Sequence, residues 1–340
     1  MNQKITIKTI AKELGVSTST VSKALRDSHE ISIDTKDKIK AYAAMFNYKP
    51  NSLALQLRNQ KTKLIGVILP RIVHHFFSTV IKGIEQGASE KGYHIMVCFS
   101  NESYKKEVEN LKVLSNGSVD GLIVSIAKET LETKDFTHFK DLVNEEIPLV
   151  LFDRVVDEIL CDKVVVDDVG AGYKATKYLL NQNSLKIALI TTPEHVNVGT
   201  LRRQGYERAL SEKGISVNKK LIIEVEEKEN IKAQIERVFD QDIDAVFAVN
   251  EIYAATAMRI AKEKGYKVPQ EFSVIGFTDG LISEYSSPSI TTIAQHGLEM
   301  GKQAVEVLIE RIEKEAEVYE PKKIVISSNL KLRESTKPSS

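Results

Sequence analysis

Residues 17–23 read "STSTVSK": four consecutive short hydroxylated side chains, with a lysine one helical turn beyond them. The hydroxyls of Ser17, Thr18, Ser19 and Thr20 can each donate and accept a hydrogen bond, and Lys23 carries a point charge. Such groups read base edges and hold phosphate oxygens. That is the chemistry of recognition, and the rest of the chain adds none of bond making. It contains no Walker-type loop and no Gly-x-Ser-x-Gly, and "GAG" at 170–172 lacks the third spaced glycine of a dinucleotide fingerprint. The adjacent His74 and His75 would project about 100° apart on a helix, a poor chelating pair without partners at i+4. Carboxylates such as those of "EVEEKENIKAQIER" belong to a solvated helix face. No catalytic set, metal centre or cofactor is expected.

The hydroxyl cluster must be positioned by short helices. Ile7, Ile10, Ala11 and Leu14 recur at helical spacing and stop at Gly15. Ser17 is a good N-cap for a second helix that turns Val21, Ala24 and Leu25 to the same side. A third, from near Ser32, presents Ile39, Tyr42, Ala43 and Phe46, and Pro50 forbids its continuation. Helix, glycine turn and helix form the helix-turn-helix arrangement, whose second helix enters the major groove. A small bundle with a merely solvated Ser/Thr face fits the same spacing. Charge leans towards the first reading. Residues 1–60 hold ten Lys/Arg and five Asp/Glu, a balance of ten minus five, or +5, in a chain whose net charge is zero. A basic head on an acidic body suits a polyanion.

After Lys61 the texture changes. Short apolar runs, 64–69, 94–99, 120–126 and 148–152, then 186–191, 221–225, 244–249 and 272–277, alternate with helical patterns. Strands apolar on both faces and separated by helices indicate parallel, doubly wound sheets, here in two similar lobes. A helix at about 296–315 and a strand at 323–327 would return across the lobes. Cys98 and Cys161 lie in apolar runs and read as buried free thiols. No apolar signal segment or run of eighteen apolar residues occurs, so a cytoplasmic protein is expected.

The headpiece "TIKTIAKELGVSTSTVSKAL … ISIDTKDKIKAYAAMFNYKPN" resembles that of the lactose-repressor (LacI/GalR) family of transcription regulators. The resemblance continues through "PLVLFDR", "VVVDDVGAGYKAT", "RRQGYERAL" and "SPSITTIAQHGLEMG", over almost the whole chain. It implies a hinge helix after "YKPN", capped by Asn51, that orders when a dimer sits on its operator. Leu57 would then wedge into the central step of the minor groove, kinking the duplex. The implied DNA-binding set is Thr6, Ser17, Thr18, Ser19, Thr20, Lys23, Asn51, Leu57 and Arg58. Lys23 stands where many members carry arginine, and lysine lacks the bidentate fork that reads guanine.

The body resembles the family's periplasmic-binding-protein-like sensor, with a small-molecule site between the lobes. Matching effector positions are Arg71, Phe76 or Phe77, Asp153, Arg202, Asn250, Thr278 and the adjoining Asp279. Arg202 aligns with a sugar-binding arginine, a phenylalanine would stack on a ring, and Asp153 and Asn250 would bond hydroxyls. Thr278 replaces a usual aspartate and Arg71 a neutral or acidic residue. The resulting surplus of guanidinium suits a carboxylate, so the effector is expected to be a sugar, with a uronate the specific candidate, unless Asp153 or Asp279 neutralises Arg71.

The expected fold class is α/β: headpiece 1–50, hinge 51–61, and a two-lobed domain 62–335. Lobe one would take about 62–163 and 293–320, lobe two about 164–292 and 321–335. The function implied is effector-controlled DNA binding, repression being the family's usual sign, by a homodimer on a near-palindromic operator. The chain stops soon after the last strand, without a zipper-like tail, which favours the dimer. The rivals are a sugar-uptake binding protein and an enzyme of the same class. A protein partner that sets the regulator's activity is a further variant.

Overall fold

The computed structural model describes residues 5–48, 61–72, 75–226, 229–313 and 320–338. Compactness divides the chain after Thr62 into an N-terminal unit and a larger one. The N-terminal unit is three helices: α1 (Ile7–Glu13), α2 (Thr18–Ala24) and α3 (Ile33–Met45). Each start is set by a hydroxyl. Thr6 and Thr9 exchange the reciprocal bonds of a capping box, Ser17 accepts from the Thr20 amide, and Ser32 from that of Thr35. Gly15 ends the first helix at a φ of +62°, where a side chain would be strained. Ile10, Ala11, Val21, Ala24, Ile39 and Ala43 are the buried core. Of the third helix's expected face, Ile39 and Ala43 are buried, while Phe46 is 44% exposed and stacks on Tyr42. The hinge residues Asn51, Leu57 and Arg58, and His74, lie outside the described residues.

The larger unit contains two six-stranded sheets. Lobe one is built from β1 (Leu64–Leu69), α4 (His75–Glu90), β2 (His94–Phe99), α5 (Tyr104–Ser115), β3 (Gly121–Val124), α6 (Lys128–Thr133), α7 (Thr137–Asn144), β4 (Leu149–Phe152) and β5 (Asp162–Val166). Lobe two follows with α8 (Asp168–Asn181), β6 (Ile187–Thr191), α9 (Asn197–Glu212), β7 (Ile222–Glu224), α10 (Ile231–Glu236), β8 (Ala245–Ala248), α11 (Glu251–Glu263), β9 (Ser273–Phe277), α12 (Leu281–Tyr285) and β10 (Thr291–Ala294). The chain then returns through α13 (Gly297–Glu313), β11 (Lys323–Ile326) and β12 (Asn329–Lys331). The strand orders are β11-β5-β4-β3-β1-β2 and β12-β10-β9-β8-β6-β7. All pairings are parallel except β12 against β10.

These pairings correct the expected lobe limits. β5 runs through Val166 beside β4, so the crossing follows residue 166 rather than 163. Residues 323–326 pair with β5 and belong to lobe one, not lobe two, and the last crossing lies between β11 and β12. The strands at 162–166 and 291–294 escaped the reading of apolar runs because each begins with polar residues, "DK" and "TT".

In each lobe two helices cross on glycines. A Cβ on Gly172 would stand 2.2 Å from the Arg202 carbonyl, and one on Gly205 2.1 Å from that of Val169. In lobe one, Gly83 meets the Leu298 carbonyl at 2.1 Å and Gly301 that of Val80 at 2.2 Å. Helix axes approach this closely only where side chains are missing. Cys161 is buried and Cys98 half-buried, both as free thiols, and burial pushes the Cys161 thiol up to about 12. No helix of the described residues is long and apolar enough to cross a membrane.

Candidate DNA interface and effector cleft

Thr18 and Ser19 are exposed at the start of α2, where backbone amides and the helix dipole favour an approaching phosphate. Thr6 and Ser17 are exposed too, but their hydroxyls are occupied as caps. Ser17 Oγ lies 2.8 Å from Thr20 Oγ1 and 2.9 Å from Ser19 Oγ. This mutual bonding pre-orients a hydroxyl row on one helix end. Lys23 is paired with Glu30 within the headpiece, so a phosphate would compete for it.

In the larger unit all three crossings leave one sheet at the carboxyl end of a strand, after β5, β10 and β11. The strand ends of the two lobes therefore confront each other. Each sheet reverses its order at a switch point, β1/β3 in lobe one and β6/β8 in lobe two, which is where doubly wound sheets hold ligands. Three contacts bridge the lobes there. Lys128 Nζ reaches Glu226 Oε2 at 2.5 Å, and Asn197 Nδ2 donates to the Val155 carbonyl at 2.5 Å. His75, first residue of α4, lies beside the buried Glu251 of α11, and its charge opposes the upward push of burial on that carboxyl.

The expected effector residues divide by what already holds them. Arg202 is buried: Nε donates to Asp168 Oδ1 at 2.8 Å, Nη1 to the Val249 carbonyl at 2.8 Å, and the guanidinium lies 3.7 Å over the Phe277 ring. Phe76 and Phe77 are core residues, and Phe77 stands edge-on to Phe152 at 6.3 Å. Asn250 caps α11 by accepting from the Tyr253 amide at 2.8 Å. Thr278 sits at a φ of +78° with Oγ1 2.5 Å from Gln295 Oε1. Asp279 is taken by Lys331 at 2.9 Å, by Arg333 and by Thr292. It is thus withdrawn from any role beside Arg71. Asp153 is 9% exposed at a φ of +58°, and burial pushes its carboxyl up to about 6 while Arg154 and Arg202 pull it down.

The carboxylate beside Arg71 is Glu102, which sequence reading missed. Arg154 binds it through both terminal nitrogens at 2.7 and 3.1 Å, and the Lys128 amide donates at 2.8 Å. Burial pushes this carboxyl up, but Arg154, with Arg71 adding to it, wins and leaves it below its ordinary value. Two further residues were missed. The side-chain oxygens of Ser125, just past β3, and Thr192, just past β6, are buried without a hydrogen-bond partner. Each follows a switch-point strand of its own lobe, and Asn197 Oδ1 is orphaned likewise. Buried polar atoms left without partners are rare and costly, and a ligand's polar groups would satisfy them. Nothing in the local sequence marks these residues, since serine and threonine after a strand usually belong to turns.

Asp153, Asp168 and Asn197 are among the residues that line a cavity of about 810 Å³. Among the described residues no three potential ligands cluster to hold a metal ion.

The model of bacterial regulatory proteins of the lacI family matches residues 6–51, and that of the periplasmic binding protein-like domain residues 176–336. The HTH-type transcriptional regulator DegA of Bacillus subtilis (strain 168) is 31% identical over 339 residues, covering 98% of this chain and 99% of its own. A LacI family regulator from Enterococcus faecium, solved with bound ribose, superposes with a TM-score of 0.70 at 26% identity, over 82% of this chain and 100% of that one. A lac repressor dimer on its operator, bound to the anti-inducer ONPF, reaches a TM-score of 0.84 over 98% of this chain and 99% of that one. Its 23% identity carries the fold alone. With relatedness along its whole length, a helix-turn-helix head and a two-lobed sensor, the chain belongs to the LacI/GalR family of transcriptional regulators, which bind DNA and are not enzymes.

Proposed function

We propose that this regulator is a cytoplasmic homodimeric repressor whose affinity for a near-palindromic operator is set by a small sugar bound between the lobes. The observation that carries the sugar is the pair of orphaned hydroxyls, Ser125 and Thr192, one at each lobe's switch point. A polyhydroxylated ligand supplies donors and acceptors to both at once, so it binds best when the lobes are together. Differential affinity for one lobe arrangement is what shifts a two-state regulator. Ribose bound to the Enterococcus faecium relative supports a ligand of this class.

A uronate is the second reading, favoured by Arg71. Its carboxylate would have to share Arg71 with Glu102, because Arg202 is already engaged by Asp168, Val249 and Phe277. Fluorescence anisotropy of the full-length protein on a palindromic segment upstream of its neighbouring genes tests both. Neutral sugars and uronic acids are titrated in parallel at one salt concentration, because phosphate contacts make affinity salt-dependent. A neutral sugar that changes operator affinity supports the first reading, uronates alone the second. No response to either class overturns the sugar assignment.

A further inference from the structure

The head that meets DNA carries its own competitor for it. Between α2 and α3 the chain turns through residues 25–32, and this loop sets two acids, Asp27 and Glu30, against the head's lysines. Glu30, seven positions beyond Lys23, takes the Lys23 ammonium in a salt bridge, and that bond holds the Glu30 carboxyl below its ordinary value. Asp27, at a φ of +58°, pairs with Lys40 and accepts Lys36 Nζ on its carbonyl at 3.2 Å. Arg26 folds back on α2, Nε donating to the Ser22 carbonyl and Nη2 to the Ser22 hydroxyl, both at 3.1 Å. Four basic side chains are thus drawn to acceptors of the head itself. Of these four, Lys23 alone lies on α2, one turn beyond the exposed hydroxyls of Thr18 and Ser19.

The Lys23 and Glu30 side chains are 40% and 51% exposed, so water and salt screen the pair and it is easily broken. It is a brake rather than a lock. The carboxylate offers the ammonium what a phosphate would, a negatively charged oxygen acceptor, and it is always at hand. A phosphate that takes Lys23 must displace it, and then leaves an uncompensated carboxylate beside the polyanion. We propose that Glu30 acts as an intramolecular phosphate mimic, restraining Lys23 and lowering the head's affinity for duplex DNA of any sequence. Glu30 is a positioning residue, acting through Lys23, and its role rests on the reading of α2 as the helix that faces DNA.

The test is fluorescence anisotropy of the full-length protein on a short duplex of arbitrary sequence, over a series of salt concentrations. The variants are Glu30→Gln, Lys23→Ala and the two combined, with Asp37→Asn, exposed on α3, as an equal change of net charge. Glu30→Gln is expected to bind about two- to fivefold more tightly for each head engaged, the range of an exposed ion pair. Its affinity should also fall more steeply with salt, by about 0.9 in the log–log slope for each phosphate contact that Lys23 regains. Lys23→Ala should weaken binding, and in that background Glu30→Gln should add no more than Asp37→Asn does. A Glu30 that only supported the fold would change thermal stability and leave the salt slope alone. Affinity and slope equal to the parent's in Glu30→Gln, a gain matched by Asp37→Asn, or a gain that persists undiminished beside Lys23→Ala would overturn the proposal. If Lys23→Ala binds DNA as the parent does, the reading of α2 falls with it, which keeps the two failures apart.

Discussion

Replacing Arg202 by methionine keeps an unbranched apolar stem over the Phe277 ring but removes the donors to Asp168 and the Val249 carbonyl. Both partners of the ion pair are almost wholly buried, at 7% and 3% side-chain exposure, so water cannot replace the guanidinium. Breaking a buried pair by removing one partner costs about 3–5 kcal/mol, because the surviving charge is left uncompensated. In a domain of this size that lowers the melting temperature by roughly 10 °C. Asp168→Asn, combined with Arg202→Met, removes the stranded charge and should recover part of the loss. Circular-dichroism melts of the parent, the two single variants and the double variant close the cycle. If Arg202→Met melts with the parent and loses only its effector response, the guanidinium is held in reserve for ligand, and the reasoning is wrong.

Three other outcomes are expected. Asp153 has a folded pKa of about 6 against an ordinary 3.8, so its contribution favours the folded state at low pH and is lost as pH rises between those values. Denaturation of Asp153→Asn should therefore show stability up to about 3 kcal/mol above the parent beyond pH 6, converging with it near pH 4. Gly205→Ala places a methyl 2.1 Å from the Val169 carbonyl and should cost roughly 1–3 kcal/mol or more by chemical denaturation. Ser17→Ala removes the cap of α2 and should lower headpiece stability by about 1 kcal/mol, read as increased amide exchange in that helix.

Much of the architecture was legible because it rests on local chemistry. Capping hydroxyls, a glycine turn and apolar spacing marked the three head helices, and runs such as "LIGVIL" and "HIMVCF" became parallel neighbours over their full length. Local pattern could not allot β5 and β11 to a lobe, because a strand's partners are chosen by where the crossings lead the chain. The site divides the same way. Resemblance to the family made Arg202 and Asp153 candidates, and the structure buries both, Asp153 in the wall of a cavity and Arg202 against Asp168 of the same wall. Only the tertiary structure set Glu102 against Arg154, 52 positions away, and locked Asp279 to Lys331, also 52 positions away. It alone left Ser125 and Thr192 buried without partners. Charge neutralisation and hydrogen-bond satisfaction depend on distances of a few ångströms between residues far apart in the chain, and periodicity carries no record of them.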